Sequence, residues 1–259
     1  DIIIDNKNNT YSYNTDKITL NDLTISSSGI IKDLLEKGYD MDIKFKSPST
    51  DFKNLLSLVR AIYKNDFNKI KTSGTAVFDG FVKGVYNESS IPAYHVNLEV
   101  KDGFFQYPDL PKPLQHINIK AQVDNPDGIT DNTVVNIEKA HIEMDNDPFD
   151  FRLLVKNPIT NLFVDAAAKG KLDLAKTAQL VKMEAGTKLS GLLNADVFVK
   201  GNVKDIEAQK FQQFSAGGNI DLNNFLYSSK DYPTGVAINT LQTSFTPAKV
   251  DIKTLTGKY

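Results

Sequence analysis

The chain has 259 residues, of which 41% are hydrophobic and 24% are charged, as expected of a folded protein with a sizeable core. Its net charge of −2 is spread without a run of one sign, which excludes a basic stripe for phosphate groups, so no nucleic-acid partner is expected. The absence of cysteine excludes disulfides, thiolate metal ligands and cysteine nucleophiles. No apolar run approaches the roughly 20 residues that a membrane-spanning helix needs.

Alternation of apolar and polar residues predicts β-strands in the first half of the chain. The pattern is clearest at residues 114–123, where Ile117, Ile119 and Val123 alternate with polar residues. Residues 29–37 are ambiguous because GIIKDLLEK has helical propensity, but the alternating segment after it favours a strand in a hairpin. The strands predicted before residue 146 lie at 2–4, 11–13, 17–25, 29–37, 41–45, 75–86, 94–105, 114–123 and 134–144.

Two short helices are predicted, near residues 51–63 and 173–183, with Asp51 and Asp173 as their N-caps. The two segments match at one offset, since both begin with aspartate and both carry Leu-Val seven residues later (173 − 51 = 122). The same helix is therefore encoded twice.

A strand motif is also repeated. The sequence Phe-Val-Lys-Gly ends the strand at 81–84 and again at 198–201 (198 − 81 = 117). We predict two tandem repeats, at residues 1–146 and 147–259, each with about six antiparallel strands and one short helix. Because the chain starts with DIIID and no Met, we interpret it as a fragment of a longer chain. The strands predicted after residue 146 lie at 149–155, 162–172, 192–203, 214–227, 234–245 and 250–255.

The predicted fold class is mostly β, with one curved antiparallel sheet that forms a repeating groove. Most strands alternate, so one face of the sheet is apolar and the other is polar. A sheet of about twelve strands with one apolar face cannot lie flat in water. It must curl, pack on a second sheet or hold an apolar ligand.

Three segments, at residues 100–126, 147–174 and 189–201 (the last is LSGLLNADVFVKG), resemble the AsmA-like proteins of Gram-negative bacteria. The resemblance covers nearly the whole chain and is closest to the C-terminal portion of such proteins. It is specific in the order of its pieces: a capped helix, a glycine-led strand, a proline-rich crossing at 107–113 and a Phe-rich return. The family is similar to TamB and to bridge-like lipid-transfer proteins.

The resemblance implies a groove that holds or conducts phospholipid acyl chains for outer-membrane biogenesis. It implies a periplasmic location, with an inner-membrane anchor outside this chain. The implied partners are a phospholipid or another acyl-chain lipid and, as a further possibility, envelope proteins. The family has no catalytic motif, so no enzymatic activity, catalytic residue or cofactor is expected.

Candidate groove residues can be chosen only by the strand face on which they fall. The alternative for the same residues is an ordinary closed core, because an apolar strand face is usually core. The candidate lipid-groove residues are Ala76, Phe78, Val82, Val96, Leu98, Ile117, Ile119, Phe151, Leu153, Leu193, Val197 and Val199.

No metal site is expected from the polar residues. His95 and His116 fall on polar strand faces, and nothing supplies further ligands at a recognisable spacing, so solvated histidines are favoured. The strand around His141 alternates too poorly to place its side chain. The acidic stretch at 143–150 lacks the glycine and the glutamate of a calcium loop and predicts a turn rich in Asp and Asn.

Two other functions remain open. One is a structural and protein-binding scaffold of the cell envelope with a closed apolar core. The other is a carbohydrate- or envelope-active enzyme on a β-scaffold, although the sequence has no nucleophile elbow, P-loop or dinucleotide-binding glycine pattern.

Overall fold

The computed structural model describes residues 1–58, 69–106, 112–178, 183–184, 186–210 and 213–258. The described residues are 68% strand and form one large antiparallel sheet of 15 strands, which is curved and does not close on itself. Fourteen strands pair in chain order, and one two-residue strand pairs beside them. The predicted mostly β fold with a curved antiparallel sheet is confirmed.

The elements alternate between long strands and short connections. The strands are β1 (Ile2–Asp5), β2 (Thr10–Leu20), β3 (Leu23–Asp33), β4 (Tyr39–Lys46), β5 (Thr50–Asp51), β6 (Lys71–Tyr86), β7 (Ala93–Gln106), β8 (Leu114–Asn125), β9 (Val134–Met144), β10 (Asp147–Lys156), β11 (Phe163–Asp173), β12 (Lys188–Asn202), β13 (Ser215–Ser228), β14 (Val236–Thr246) and β15 (Lys249–Lys258). The helices are α1 (Phe52–Leu56), α2 (Leu174–Ala178) and α3 (Val203–Glu207), with 3₁₀ turns at Leu35–Lys37 and Thr130–Asn132.

The predicted elements differ from the observed ones at several points. The ambiguous segment 29–37 is strand only as far as Asp33 and then forms a 3₁₀ turn. Helix α3 was not predicted, and its five residues are too few to show a periodic pattern. The later parts of the two predicted helices and most of the proline-rich crossing lie outside the described residues.

The two predicted helix caps have different outcomes. The Asp173 carboxylate accepts hydrogen bonds from the backbone N–H groups of Ala175 and Lys176 at 3.1 and 3.2 Å, so this cap is confirmed. Asp51 occupies the predicted N-cap position of α1, but its side chain makes no capping hydrogen bond. Asp51 also ends β5, where its backbone pairs with Thr75.

Parts of the predicted repeat recur in the structure, although the described residues before 147 hold nine strands and one α-helix and those from 147 hold six strands and two α-helices. Helices α1 and α2 begin 122 residues apart (174 − 52 = 122), the offset found in the sequence. Both copies also have a register shift around a glycine with positive φ, at Gly74 and at Gly191. A Cβ on Gly74 would lie 2.4 Å from the carbonyl oxygen of Asp102, so the strands can approach there only without a side chain.

The boundary predicted between residues 146 and 147 falls inside a hairpin. Met144 pairs with Asp147, and the sheet continues from β9 into β10. The division into units 1–146 and 147–259 therefore stays a prediction.

The molecule exposes far more surface than a compact protein of its size. Its solvent-accessible area is 16206 Å² for a mass of 28.7 kDa. A compact monomer of this mass would expose roughly 11,300 Å². The extra area is that of an open sheet rather than of a layered globule.

Candidate functional site

Strand pairing aligns apolar residues into rows that cross the sheet, because directly paired residues lie on the same face. One row crosses ten strands, from β6 to β15, and every residue in it is apolar or glycine. It consists of Ala76, Val100, Ile119, Ala140, Phe151, Ala168, Val197, Gly218, Phe245 and Val250.

Two further rows run beside it on the same face, which we call the apolar face. The second crosses β6 to β13 and consists of Phe78, Leu98, Ala121, Ile137, Leu153, Ala166, Val199 and Ala216. The third crosses β4 and β6 to β12 and consists of Phe45, Gly80, Val96, Val123, Val135, Val155, Val164 and Gly201.

All twelve candidate residues lie on the apolar face. Nine of them belong to the three rows. Of the other three, Val82 pairs with Ile43 and Tyr94, Ile117 pairs with Gly103, and Leu193 pairs with Leu172 and Leu222. The nine in the rows are Ala76, Phe78, Val96, Leu98, Ile119, Phe151, Leu153, Val197 and Val199.

The opposite face, which we call the polar face, carries cross-strand ion pairs. Lys83 contacts Asp42 at 2.8 Å, and Lys169 contacts Asp196 at 2.7 Å. Asp165 lies between Arg152 at 2.6 Å and Lys200 at 3.2 Å. Burial of Asp165 raises its pKa, but hydrogen bonds from these two cations outweigh burial, so the pKa is lowered overall.

Exposure differs between the two faces of the same strand. In β12, Val197 and Val199 on the apolar face are half-buried, whereas Phe198 between them is 43% exposed on the polar face. Side chains on the inner side of a curved sheet crowd one another, so this difference indicates that β12 curves towards its apolar face.

One end of the apolar face is closed. Phe52 of α1 packs with Ile70, Phe105, Ala76 and Ile117 in the buried hydrophobic cluster of the described residues. Ala76 is 1% exposed and Ile117 is 3% exposed, so these two candidates belong to a closed core and not to an accessible groove. The other ten candidates are half-buried.

An apolar recess lies over β10, β11 and β12, far from α1 in the sequence. It has a volume of about 380 Å³ and is lined on the apolar face by Phe151, Leu153, Val197 and Val199. Between these walls, β11 contributes only alanine side chains at positions 166 and 168. Sequence reasoning missed these alanines because alanine is only weakly hydrophobic, although the alternation of residues 162–172 contained the signal.

Each histidine has a carboxylate partner on the polar side of the sheet. His95 contacts Asp124 at 2.9 Å, and His116 contacts Asp102 at 3.0 Å. His141 lies between Asp150, at 2.8 Å, and Glu143, at 3.3 Å. The hydrogen bond with Asp150 is the main reason that the pKa of His141 is raised.

The acidic stretch forms the turn that the sequence predicts. Asp145 and Asn146 both have positive φ, as in a two-residue hairpin of type I′. Asp145 is held by Lys112 and Lys176, each at 2.9 Å, and these two hydrogen bonds lower its pKa. The described residues contain no group of three or more His, Asp or Glu side chains placed to share a metal ion.

The comparisons with known proteins leave the site to be interpreted from its own geometry. No family model, curated protein or solved structure matches the chain. Within the part of the chain that the structure describes, no helix has the length and apolar character to cross a membrane.

Proposed function

We propose that this chain is a non-enzymatic segment that holds or conducts lipid acyl chains along the apolar face of its sheet. The observation that carries the proposal is the row of ten apolar or glycine residues from β6 to β15. Ala76, Val100 and Ala140 in this row are buried, so the part open to a ligand runs from Phe151 on β10 to Val250 on β15. At roughly 4.8 Å between strands, this part extends about 24 Å. A continuous apolar path of this length is what an acyl chain needs to remain out of water.

The energetics favour an extended surface over a local headgroup site. Exposing one methylene to water costs about 0.8 kcal/mol. The acyl chains of one lipid have about 30 methylenes, so a protein that keeps them out of the membrane must offset a cost on the order of 20 kcal/mol. A few hydrogen bonds to a headgroup, each with a net contribution of about 1 kcal/mol, cannot supply this amount. Half-buried aliphatic and aromatic side chains across many strands can supply it, because together they cover a large apolar area.

The resemblance to AsmA-like proteins adds the biological context to the proposal. In that context the lipid is a phospholipid, the location is the periplasm and an inner-membrane anchor lies outside this chain. The process served is outer-membrane biogenesis, with envelope proteins as further partners.

Photo-crosslinking in cells, in the full-length protein, tests the proposal. Benzoyl-phenylalanine replaces Phe151 or Phe78 on the apolar face, and Phe81 or Phe198 on the polar face serves as the matched aromatic control. Phe198 is 43% exposed, whereas Phe151 and Phe78 are half-buried, so exposure alone would favour the control. We expect lipid adducts at Phe151 and Phe78 only. Adducts on both faces, or none in a protein that folds, would contradict the proposal.

A second candidate function is a structural scaffold of the cell envelope with a closed core. The observation that favours it is the cluster under α1, where Phe52, Ala76 and Ile117 are buried together. The same crosslinking experiment separates the two functions, because a scaffold would give protein adducts or none where a groove gives lipid adducts.

A further inference from the structure

A hollow, which we call the polar recess, lies on the polar face over β6 to β9, where a row of amide side chains crosses the sheet. It has a volume of about 270 Å³. Asp79, Asn97, Gln122 and Asn136 form one row of consecutive cross-strand neighbours that lines it. No described element covers this face, and neighbouring side chains within the sheet leave all four residues half-buried.

A β-bulge in β9 helps to shape this polar recess. The pairing shifts by one residue between β8 and β9 and again between β9 and β10, which makes Glu138 the extra residue of β9. The bulge brings Glu138 to the polar face, where its carboxylate contacts Lys120 at 2.5 Å and both line the recess. Bulges of this kind bend a strand and redirect a side chain, and they are frequent beside binding sites.

The hydrogen-bonding capacity of the recess is only partly used. Asn97 donates a hydrogen bond to Asp79 at 3.2 Å. Gln122 and Asn136 make no side-chain hydrogen bond to any described residue, whereas several carboxylates and histidines elsewhere on this face are paired. Each free carboxamide offers two donors and one acceptor, a combination that suits hydroxyl groups.

The charge and size of the recess narrow the class of ligand. The three lining carboxylates, Asp79, Glu99 and Glu138, outnumber the one lining cation, Lys120, and this disfavours phosphates and other anions, although Glu99 is also paired with Lys101 at 3.1 Å. A divalent cation is not favoured either, because no group of three or more His, Asp or Glu side chains among the described residues is placed to hold one. A volume of about 270 Å³ lies just below the roughly 300–1,000 Å³ of sites for drug-sized ligands, which favours a ligand of about a dozen non-hydrogen atoms.

We propose that the polar recess is a binding site for a neutral, hydroxyl-rich ligand of monosaccharide size. Gln122 and Asn136 supply free donors and acceptors, and Asp79, Glu99 and Glu138 accept bonds from hydroxyl groups. The site lies on the opposite face from the proposed lipid path, so this proposal does not depend on the lipid function and can be tested separately.

The test is a titration of the ¹⁵N-labelled protein followed through its side-chain amide signals. The probes are glucose, galactose, mannose and N-acetylglucosamine, with glucose 6-phosphate as the anionic counterpart. We expect at least one neutral sugar to give saturable shifts of the Gln122 and Asn136 signals and glucose 6-phosphate to bind more weakly.

The matched variants are the pair Gln122→Ala with Asn136→Ala inside the recess and Asn219→Ala outside it, on the exposed polar face of β13. Because the double variant lacks the Gln122 and Asn136 signals, its Kd is measured from the side-chain amide signal of Asn97, which lines the same recess. Loss of the two amides is expected to raise Kd about tenfold, while Asn219→Ala leaves Kd unchanged. The proposal is overturned if none of the four neutral sugars shifts these signals, or if the double variant binds as tightly as the parent. Retained signal dispersion in each variant shows that it is folded.

Discussion

His141 is held between two carboxylates on the polar side of the sheet. Asp150 and Glu143 both favour the protonated imidazole, and the pKa of His141 is raised above its ordinary value of 6.5. A raised pKa in the folded state means that the folded protein binds the proton more tightly than the unfolded chain does.

This linkage predicts a pH-dependent stability. The contribution of His141 is fully present below about pH 6.5, the unfolded pKa, and is lost as the pH rises through the raised folded pKa. The free energy of unfolding should therefore fall over this window by more in the parent protein than in the His141→Gln variant. Urea unfolding at a series of pH values measures the free energy of unfolding, and an NMR titration of the imidazole measures the pKa of His141. Identical pH profiles for parent and variant would contradict the assignment.

At the scale of elements, the two short helices of the repeats are anchored differently. Asp173 caps α2 through the backbone N–H groups of Ala175 and Lys176, whereas the equivalent Asp51 makes no cap on α1. Helix α1 is held instead by burial of Phe52 against the sheet. Helix α2 therefore has a side-chain cap that α1 lacks, whereas α1 contributes a buried Phe52 to the hydrophobic cluster.

The caps give a matched pair of variants. Asp173→Ala should lower the free energy of unfolding by about 1 kcal/mol, the usual cost of a lost N-cap. Asp51→Ala should have a clearly smaller effect, because it removes no capping bond. Urea unfolding of the two variants beside the parent checks the difference. Equal losses in both would show that the bonds at Asp173 contribute little.

For the whole molecule, the decisive property is where the apolar face is closed and where it is open. The cluster under α1 is buried, whereas Val197 and Val199 in the second repeat are only half-buried. A closed core and an open face respond differently to truncation, because only a closed site leaves a cavity.

Truncation of one residue in the closed cluster and of one on the open part of the face should show this difference. Phe52→Ala is expected to cost about 3–5 kcal/mol, from lost burial and the cavity that remains. Val197→Ala should cost about 1 kcal/mol or less, since its site is open and can relax. If the loss in free energy of unfolding per methylene removed is similar in the two variants, the closed core extends from the cluster under α1 to β12. Urea unfolding of the parent and the two variants, analysed with one common m-value, gives the free energies of unfolding to be compared.

Much of the fold was predictable from the sequence. Alternation located most of the strands, because side-chain direction in a strand has a local period of two. The sequence offset of 122 located the two repeated helices, and the facing of all twelve candidate residues followed from the same alternation. The strand ends, the extra helix α3 and the missing cap at Asp51 were not predictable, since they depend on connections and packing.

The sequence by itself thus determined which residues share a face, and tertiary structure decided which of them become neighbours. Register joins residues that are distant in the chain, such as Ala76 and Val250 at the two ends of one row, and no local pattern encodes it. Closure of the face at Ala76 and Ile117 by α1, and the bulge that brings Glu138 into the polar recess, also arise from non-local packing. An apolar face is a local property of strands, whereas its openness is a property of the assembled sheet.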